Sequence, residues 1–264
     1  MANKTLAQLF RKHDGKISDK WSLYLTEYER VFSNYQERAI SLFEIGVQNG
    51  GSLEIWAQYF KNAKKLVGCD INPDCGQLRF KDTRITVLVG DINSKSTKDA
   101  VLALSPTYDI IIDDGSHQSG DIIRSFALYF PALSRGGIYI VEDLHCSYQQ
   151  DHEGGLYFPF SAISFFKYLV DILNYAHWGV EKPQNEIFDE FTRRYSFALD
   201  GDFLGYVHSV EFINSLCIVR KENLQKNMLG GRSVSGVIES VTQNLLAMKG
   251  SQLTTSQRFN PWSQ

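Results

Sequence analysis

The stretch DIIIDDGSH, residues 109–117, drives an apolar run into Asp113, Asp114 and His117, and GGIYIVEDLH, residues 136–145, ends in Glu142, Asp143 and His145. Carboxylates gathered at that density share protons or hold a cation. If the two runs are neighbouring strands of one parallel sheet, joined by the helix pattern DIIRSFALYFPAL, a right-handed crossover sets their ends side by side, about 4.8 Å apart. Asp114, Glu142 and Asp143 are then expected to hold a hard cation through oxygen. Mg2+ suits such a set, because it takes few carboxylates and keeps places for substrate oxygens. His117, three residues past Asp114, carries an imidazole able to accept a proton near neutral pH from a hydroxyl made more acidic by the metal. His145 is the second candidate for that proton. Each feature alone has a plainer explanation, since acid pairs cap helices or sit in solvated turns and a lone histidine is most often a surface residue. Two such pairs at successive strand ends favour the chemical explanation.

A second candidate site is the turn in FEIGVQNGGS, residues 43–52, which follows an apolar run and precedes the helix pattern Leu53, Trp56, Ala57, Phe60. Glycines there allow a sharp turn and close approach of a ligand to backbone N–H groups. A dinucleotide fingerprint needs glycine at position 48, where this chain has Gln48, so a pyrophosphate fits poorly. A nucleoside without one, such as S-adenosylmethionine, fits better. Its amino-acid part is expected at Gly46, Gln48, Gly50 and Ser52, its ribose at Asp70, and its adenine at Asp91 and Ile92.

These residues need a frame that brings strand ends together. From residue 41, short Ile- and Val-rich runs alternate with helix-sized segments: ISLFEIG, KLVGCDI, ITVLVGD, DIIIDD and GIYIVED. That texture predicts an α/β fold, doubly wound around a mostly parallel sheet, with ligands outside the carboxyl ends of the strands. YVHSVEFINSLCIVRK reads as a closing antiparallel hairpin turning at Asn214-Ser215, which makes seven strands. The expected division is an N-terminal helical cap over 1–40, a core over 41–222 with an aromatic-rich insertion at about 146–200, and a C-terminal helix and polar tail over 223–264. In the cap, Leu23, Leu25, Tyr28, Val31 and Phe32 carry helical periodicity; in the tail, VSGVIESVTQNLLAM does, before a polar end expected to lack fixed structure.

Composition narrows the partners. The chain of 264 residues has 27 basic and 30 acidic side chains, a formal charge of −3, and no basic stripe, which argues against nucleic acid. Cys69, Cys75, Cys146 and Cys217 lack metal or disulfide spacing, consistent with a reducing, cytoplasmic setting. No signal-like segment or membrane span is read. The most apolar helix candidate, FSAISFFKYLVDILNY, is broken by Lys167 and Asp171 and is expected as a buried or lid helix.

FEIGVQNGGSLEIW, GCDINP, DDGSH and VEDLHCSY, with SDKWSLYLTEYERVF upstream, resemble the class I S-adenosylmethionine-dependent methyltransferases. Within them they are similar to the metal-dependent sugar O-methyltransferases related to macrocin and mycinamicin O-methyltransferases; the cephalosporin hydroxylase family is similar too. The resemblance implies a Rossmann-like methyltransferase sheet, Mg2+ on Asp114, Glu142 and Asp143, and His117 as general base. Glu44, Gly46, Asp70 and Asp91 then serve the cofactor, and Asp113 is placed with them. It also implies a sugar or glycosylated small molecule as acceptor. Tyr148, Tyr157, Phe158 and Phe160 are candidates for stacking on a sugar, whereas Phe165, Phe166 and Leu169 at helical spacing are read as core. The alternatives are a hydroxylase or NAD-type oxidoreductase on the same fold, and a non-catalytic nucleotide-binding module. The terminal helices leave room for a homo-oligomer, although amphipathic helices pack within one chain as readily.

Overall fold

The computed structural model describes residues 4–252 and 255–263. Seven strands form one sheet: β1 (Ser41–Ile45), β2 (Lys65–Asp70), β3 (Ile85–Val89), β4 (Tyr108–Asp113), β5 (Leu133–Val141), β6 (Val207–Ile213) and β7 (Leu216–Lys221). Their order is β3-β2-β1-β4-β5-β7-β6. The first five run parallel, and β7 is antiparallel to both β5 and β6. The chain order reverses between β1 and β4, which opens a crevice at their carboxyl ends.

Both faces of the central strands are buried, so successive residues feed two separate cores. Phe43, Ile45, Ile111, Tyr139 and Val141 face one. Leu42, Ile110, Ile112, Ile138 and Ile140 face the other. The first face is covered by α5 (Ser119–Tyr129), α6 (Ala162–Leu173) and α7 (Asp189–Tyr195), and the second by α1 (Leu6–Lys12), α2 (Ser22–Phe32) and α3 (Gly51–Tyr59). α4 (Lys95–Leu104) and α8 (Gly201–Leu204) complete the helices. In α6, Phe165, Phe166 and Leu169 are fully buried, as core residues. Lys167 and Asp171 face outward. No helix among the described residues is long and apolar enough to cross a membrane.

Two expectations are corrected. In α2, Tyr28, Val31 and Phe32 are buried, but Leu23 faces out and Tyr24 takes the inward place, because the buried face turns toward the strand ends and needs a hydroxyl there. The tail does not form the helix expected over 234–248. Residues 234–248 contain only a 3-10 turn at Leu246–Met248, and Val237, Ile238 and Val241 are exposed; no surface covers an apolar stripe that would stabilise the helix. Of the expected polar end, residues 255–263 carry a 3-10 turn at Pro261–Ser263, while 253, 254 and 264 lie outside the described residues.

Candidate active site

Pairing continues one residue past the end of β4: the Asp114 N–H donates to the Ile45 carbonyl at 2.9 Å, and the Glu142 N–H to the Asp113 carbonyl at 2.9 Å. Alternation therefore still holds and sends the two aspartates to opposite faces. Asp113 points under α5, where Ser125 donates to it in a short contact and Tyr139 Oη at 3.2 Å. Burial pushes its carboxyl up to about 7. Asp114 points toward the segment just before α2, where Lys20 Nζ donates to its Oδ2. Glu142, 2% exposed, accepts from Lys20 Nζ at 2.7 Å and from Tyr28 Oη. Burial raises its carboxyl more than Lys20 lowers it. Asp143 leaves the strand in a left-handed conformation, φ 54°, and accepts from Trp21 Nε1 at 3.0 Å and Tyr24 Oη at 2.7 Å.

His117 also adopts positive φ, 57°, which turns its ring back over the strand ends. Its Nε2 lies 3.7 Å from Asp143 Oδ2 and 3.9 Å from Asp114 Oδ1. Ligand atoms of Asp114, His117 and Asp143, all half-buried, lie within 4.8 Å of one another, the geometry for one metal ion among the described residues. The trio read from the sequence was Asp114, Glu142 and Asp143. The structure instead groups His117 with the two aspartates, and Glu142 sits behind them in the Lys20 and Tyr28 contacts. His145 is more exposed. Its Nδ1 shares a 2.5 Å hydrogen bond with Ser215 Oγ, and it lies 3.9 Å from Asp143 Oδ1.

A cleft of about 430 Å³ opens beside this group, lined by Gly46, Gln48, Ser52, Asp70, Asp91, Ile92 and Asp113 together with Asp114, His117 and Asp143. Gly46 has φ +88°, and a Cβ there would lie 2.0 Å from the Asp114 carbonyl oxygen, so only glycine lets the two strand ends approach. Gln48 takes the left-handed conformation itself, φ 49°, so the turn forms without a glycine there. Asp70 closes the turn: its Oδ2 accepts the N–H groups of Val47 at 2.8 Å and Gln48 at 2.9 Å, and its Oδ1 that of Asn72 at 2.9 Å. Burial works to raise its carboxyl, but these backbone donors prevail and hold it below its ordinary range. The N–H groups of residues 47 and 48 are thus engaged by Asp70. Asp91 similarly accepts from Asn93 N–H at 2.9 Å.

Two expected cofactor residues lie outside the cleft lining. Glu44 is fully buried behind the turn and accepts from Ser52 Oγ at 2.8 Å and Trp56 Nε1 at 3.2 Å; burial pushes its carboxyl up to about 7. Gly50 caps α3 at φ +81°, against the Phe80 ring. Conversely, Lys20, Trp21, Tyr24 and Tyr28 reach the acids, yet reading the sequence for acids and glycines passed them over. Part of their signal was present, since Tyr24 and Tyr28 are four positions apart and fall on one face of α2.

The span from β1 to just past Asp143 has counterparts elsewhere. Residues 43–144 match a family described as a methyltransferase domain. The chain is 36% identical over 184 residues to the 8-demethyl-8-alpha-L-rhamnosyl tetracenomycin-C 2'-O-methyltransferase of Streptomyces olivaceus, covering 66% of this chain and 47% of that protein. It is 32% identical over 132 residues to the mycinamicin VI 2''-O-methyltransferase of Micromonospora griseorubida, covering 47% of this chain and 32% of that protein. The chain thus spans about half the length, or less, of the curated sugar methyltransferases it matches. The fold is shared with MycE methyltransferase, described in complex with Mg, SAH and mycinamycin VI, at a TM-score of 0.68 and 22% identity over 88% of this chain and 58% of the other. Asp114, His117, Glu142 and Asp143 all lie inside the matched span.

Proposed function

We propose that this chain transfers a methyl group from S-adenosylmethionine to a hydroxyl of a sugar or glycosylated small molecule, with Mg2+ as cofactor. The observation that carries this reading is the convergence of Asp114, His117 and Asp143 at one end of a cleft that begins at the glycine turn. The named activities of the curated relatives and the Mg and SAH of the MycE complex support it. The donor chemistry fits a hard divalent ion, because two half-buried carboxylates supply anionic oxygen beside solvent. The cleft volume fits a small nucleoside ligand.

Asp114 and Asp143 would hold the metal, with Glu142 behind them. Such an ion neutralises the acids and lowers the pKa of an adjoining hydroxyl. His117 would accept the hydroxyl proton at Nε2, and the cofactor, when bound, would supply the methyl group to the oxygen, its sulfonium sulfur leaving as a neutral thioether. Asp143 lies 3.7 Å from that nitrogen. Asp70 keeps the glycine turn closed, and Asp91 and Ile92 form the far wall for the nucleoside. Methyl transfer needs little beyond an in-line approach, so positioning does most of the work.

The acceptor side falls to the insertion after β5, where Tyr148 is half exposed and Tyr157 almost fully exposed. A cytoplasmic setting is supported by four free cysteines, all buried. The test is transfer of labelled methyl from S-adenosylmethionine to a panel of rhamnosylated and other deoxysugar compounds, with and without EDTA. Metal-dependent labelling of one acceptor is expected. Calorimetry showing NAD binding and no S-adenosylhomocysteine binding would defeat the reading in favour of an oxidoreductase.

A further inference from the structure

Residues 13–20 cross the mouth of the cleft before α2 begins, and Ile17, Ser18, Asp19 and Lys20 line it. One end of this strap is tied to α3. The Lys16 N–H and Nζ donate to the two oxygens of Glu54 at 2.9 and 2.6 Å, and His13 Nε2 lies 2.8 Å from the Lys16 carbonyl oxygen. The strap rests directly on the helix: a Cβ on Gly51 would lie 2.2 Å from the Lys16 carbonyl oxygen and 2.4 Å from that of Ile17. The other end is Lys20, whose side chain is 3% exposed. Its Nζ donates to Glu142 Oε1 at 2.7 Å and to Asp114 Oδ2, while Asp114 Oδ1 faces His117.

We infer that Lys20 is a positioning residue of this site, a buried ammonium that latches the strap 13–20 across the cofactor cleft and fixes the Asp114 and Glu142 carboxylates in the same contact. The inference rests on the cofactor and metal reading above. Because Asp114 serves both Lys20 and the metal group, the ammonium and a divalent ion repel each other through shared anions. Removing the Lys20 charge must therefore loosen the strap and tighten the ion at once. General loss of structure would weaken both, so the opposite signs distinguish positioning from mere stability.

Lys20→Met keeps the length of the side chain and removes the charge. Calorimetry with S-adenosylhomocysteine is expected to show affinity reduced about tenfold, while Mn2+ binding followed by electron paramagnetic resonance strengthens about tenfold. Hydrogen exchange at amides 16–20 should rise, and Lys20→Arg should return all three readouts toward wild type. Linkage is reciprocal, so Mn2+ added to the wild-type chain should also raise exchange at 16–20. A Lys20→Met protein that weakens both ligands, or moves neither, overturns the inference. If that variant does not fold, unchanged or reduced exchange in wild type with Mn2+ overturns it. Wild type that binds neither Mn2+ nor S-adenosylhomocysteine takes down the functional reading with it, whereas intact wild-type binding unaffected by Lys20→Met defeats the latch alone.

Discussion

His117 Nε2 lies 3.7 Å from Asp143 Oδ2, which joins the loop after β4 to the second residue past β5. The ring thus faces a carboxylate from another strand end, and under the proposed function it takes the hydroxyl proton. Asparagine tolerates the positive φ of position 117 better than alanine. His117→Asn is therefore expected to lower kcat about 10²- to 10⁴-fold while S-adenosylhomocysteine affinity, measured by calorimetry, stays near wild type. Unimpaired turnover would move the proton to His145.

The candidate metal group takes two aspartates, with His117, from different strand ends. Asp114→Asn and Asp143→Asn are each expected to weaken Mn2+ binding by about tenfold or more. EDTA should abolish methyl transfer, with recovery on adding excess Mg2+. Full activity in chelator would remove the metal from the reaction.

Gly46 and Gly50 both have positive φ, but they differ in what a side chain would meet. At Gly46 it is the Asp114 backbone at 2.0 Å, and at Gly50 the edge of the Phe80 ring at 2.8 Å. A ring can turn aside, whereas a strand end cannot without dragging Asp114. Gly46→Ala should cost ~3 kcal/mol or more, and Gly50→Ala clearly less, in chemical unfolding followed by circular dichroism. Equal losses would contradict the contact argument.

Burial holds the Asp113 carboxyl at about 7, and Glu44 likewise at about 7. An acid whose folded pKa is raised binds more protons in the native state, so its contribution is complete below the unfolded value near about 4 and is lost as pH rises through about 7. Asp113→Asn removes one such group. Relative to wild type, its stability should improve between about pH 5 and about pH 8, measured by urea unfolding at each pH. A pH-independent difference would show that Asp113 titrates normally.

The alternation of apolar runs with helix-sized segments carried the sheet, because strands buried on both faces need long apolar stretches and little else does. The paired acids were legible for the same reason: ionised groups at the end of such a run stand out. The set that converges was less so. Glu142 and Asp143 are adjacent, yet the left-handed turn at Asp143 and the Lys20 and Tyr28 contacts send them to different neighbours. The tail shows the opposite failure, since its helical periodicity had no packing surface to act on.

The sequence by itself determined the strands, the glycine turn and the acids that end the strands, since these follow from local conformational preference and the side-chain period. Only the tertiary structure decided that His117, through a positive φ, joins Asp114 and Asp143. It alone decided that Lys20, just before α2, and Tyr24 and Tyr28 on α2, distant in sequence from both acid pairs, meet them. Such meetings depend on how helices cross a sheet, and the pattern of one chain carries no local mark of which face will lie against which strand end.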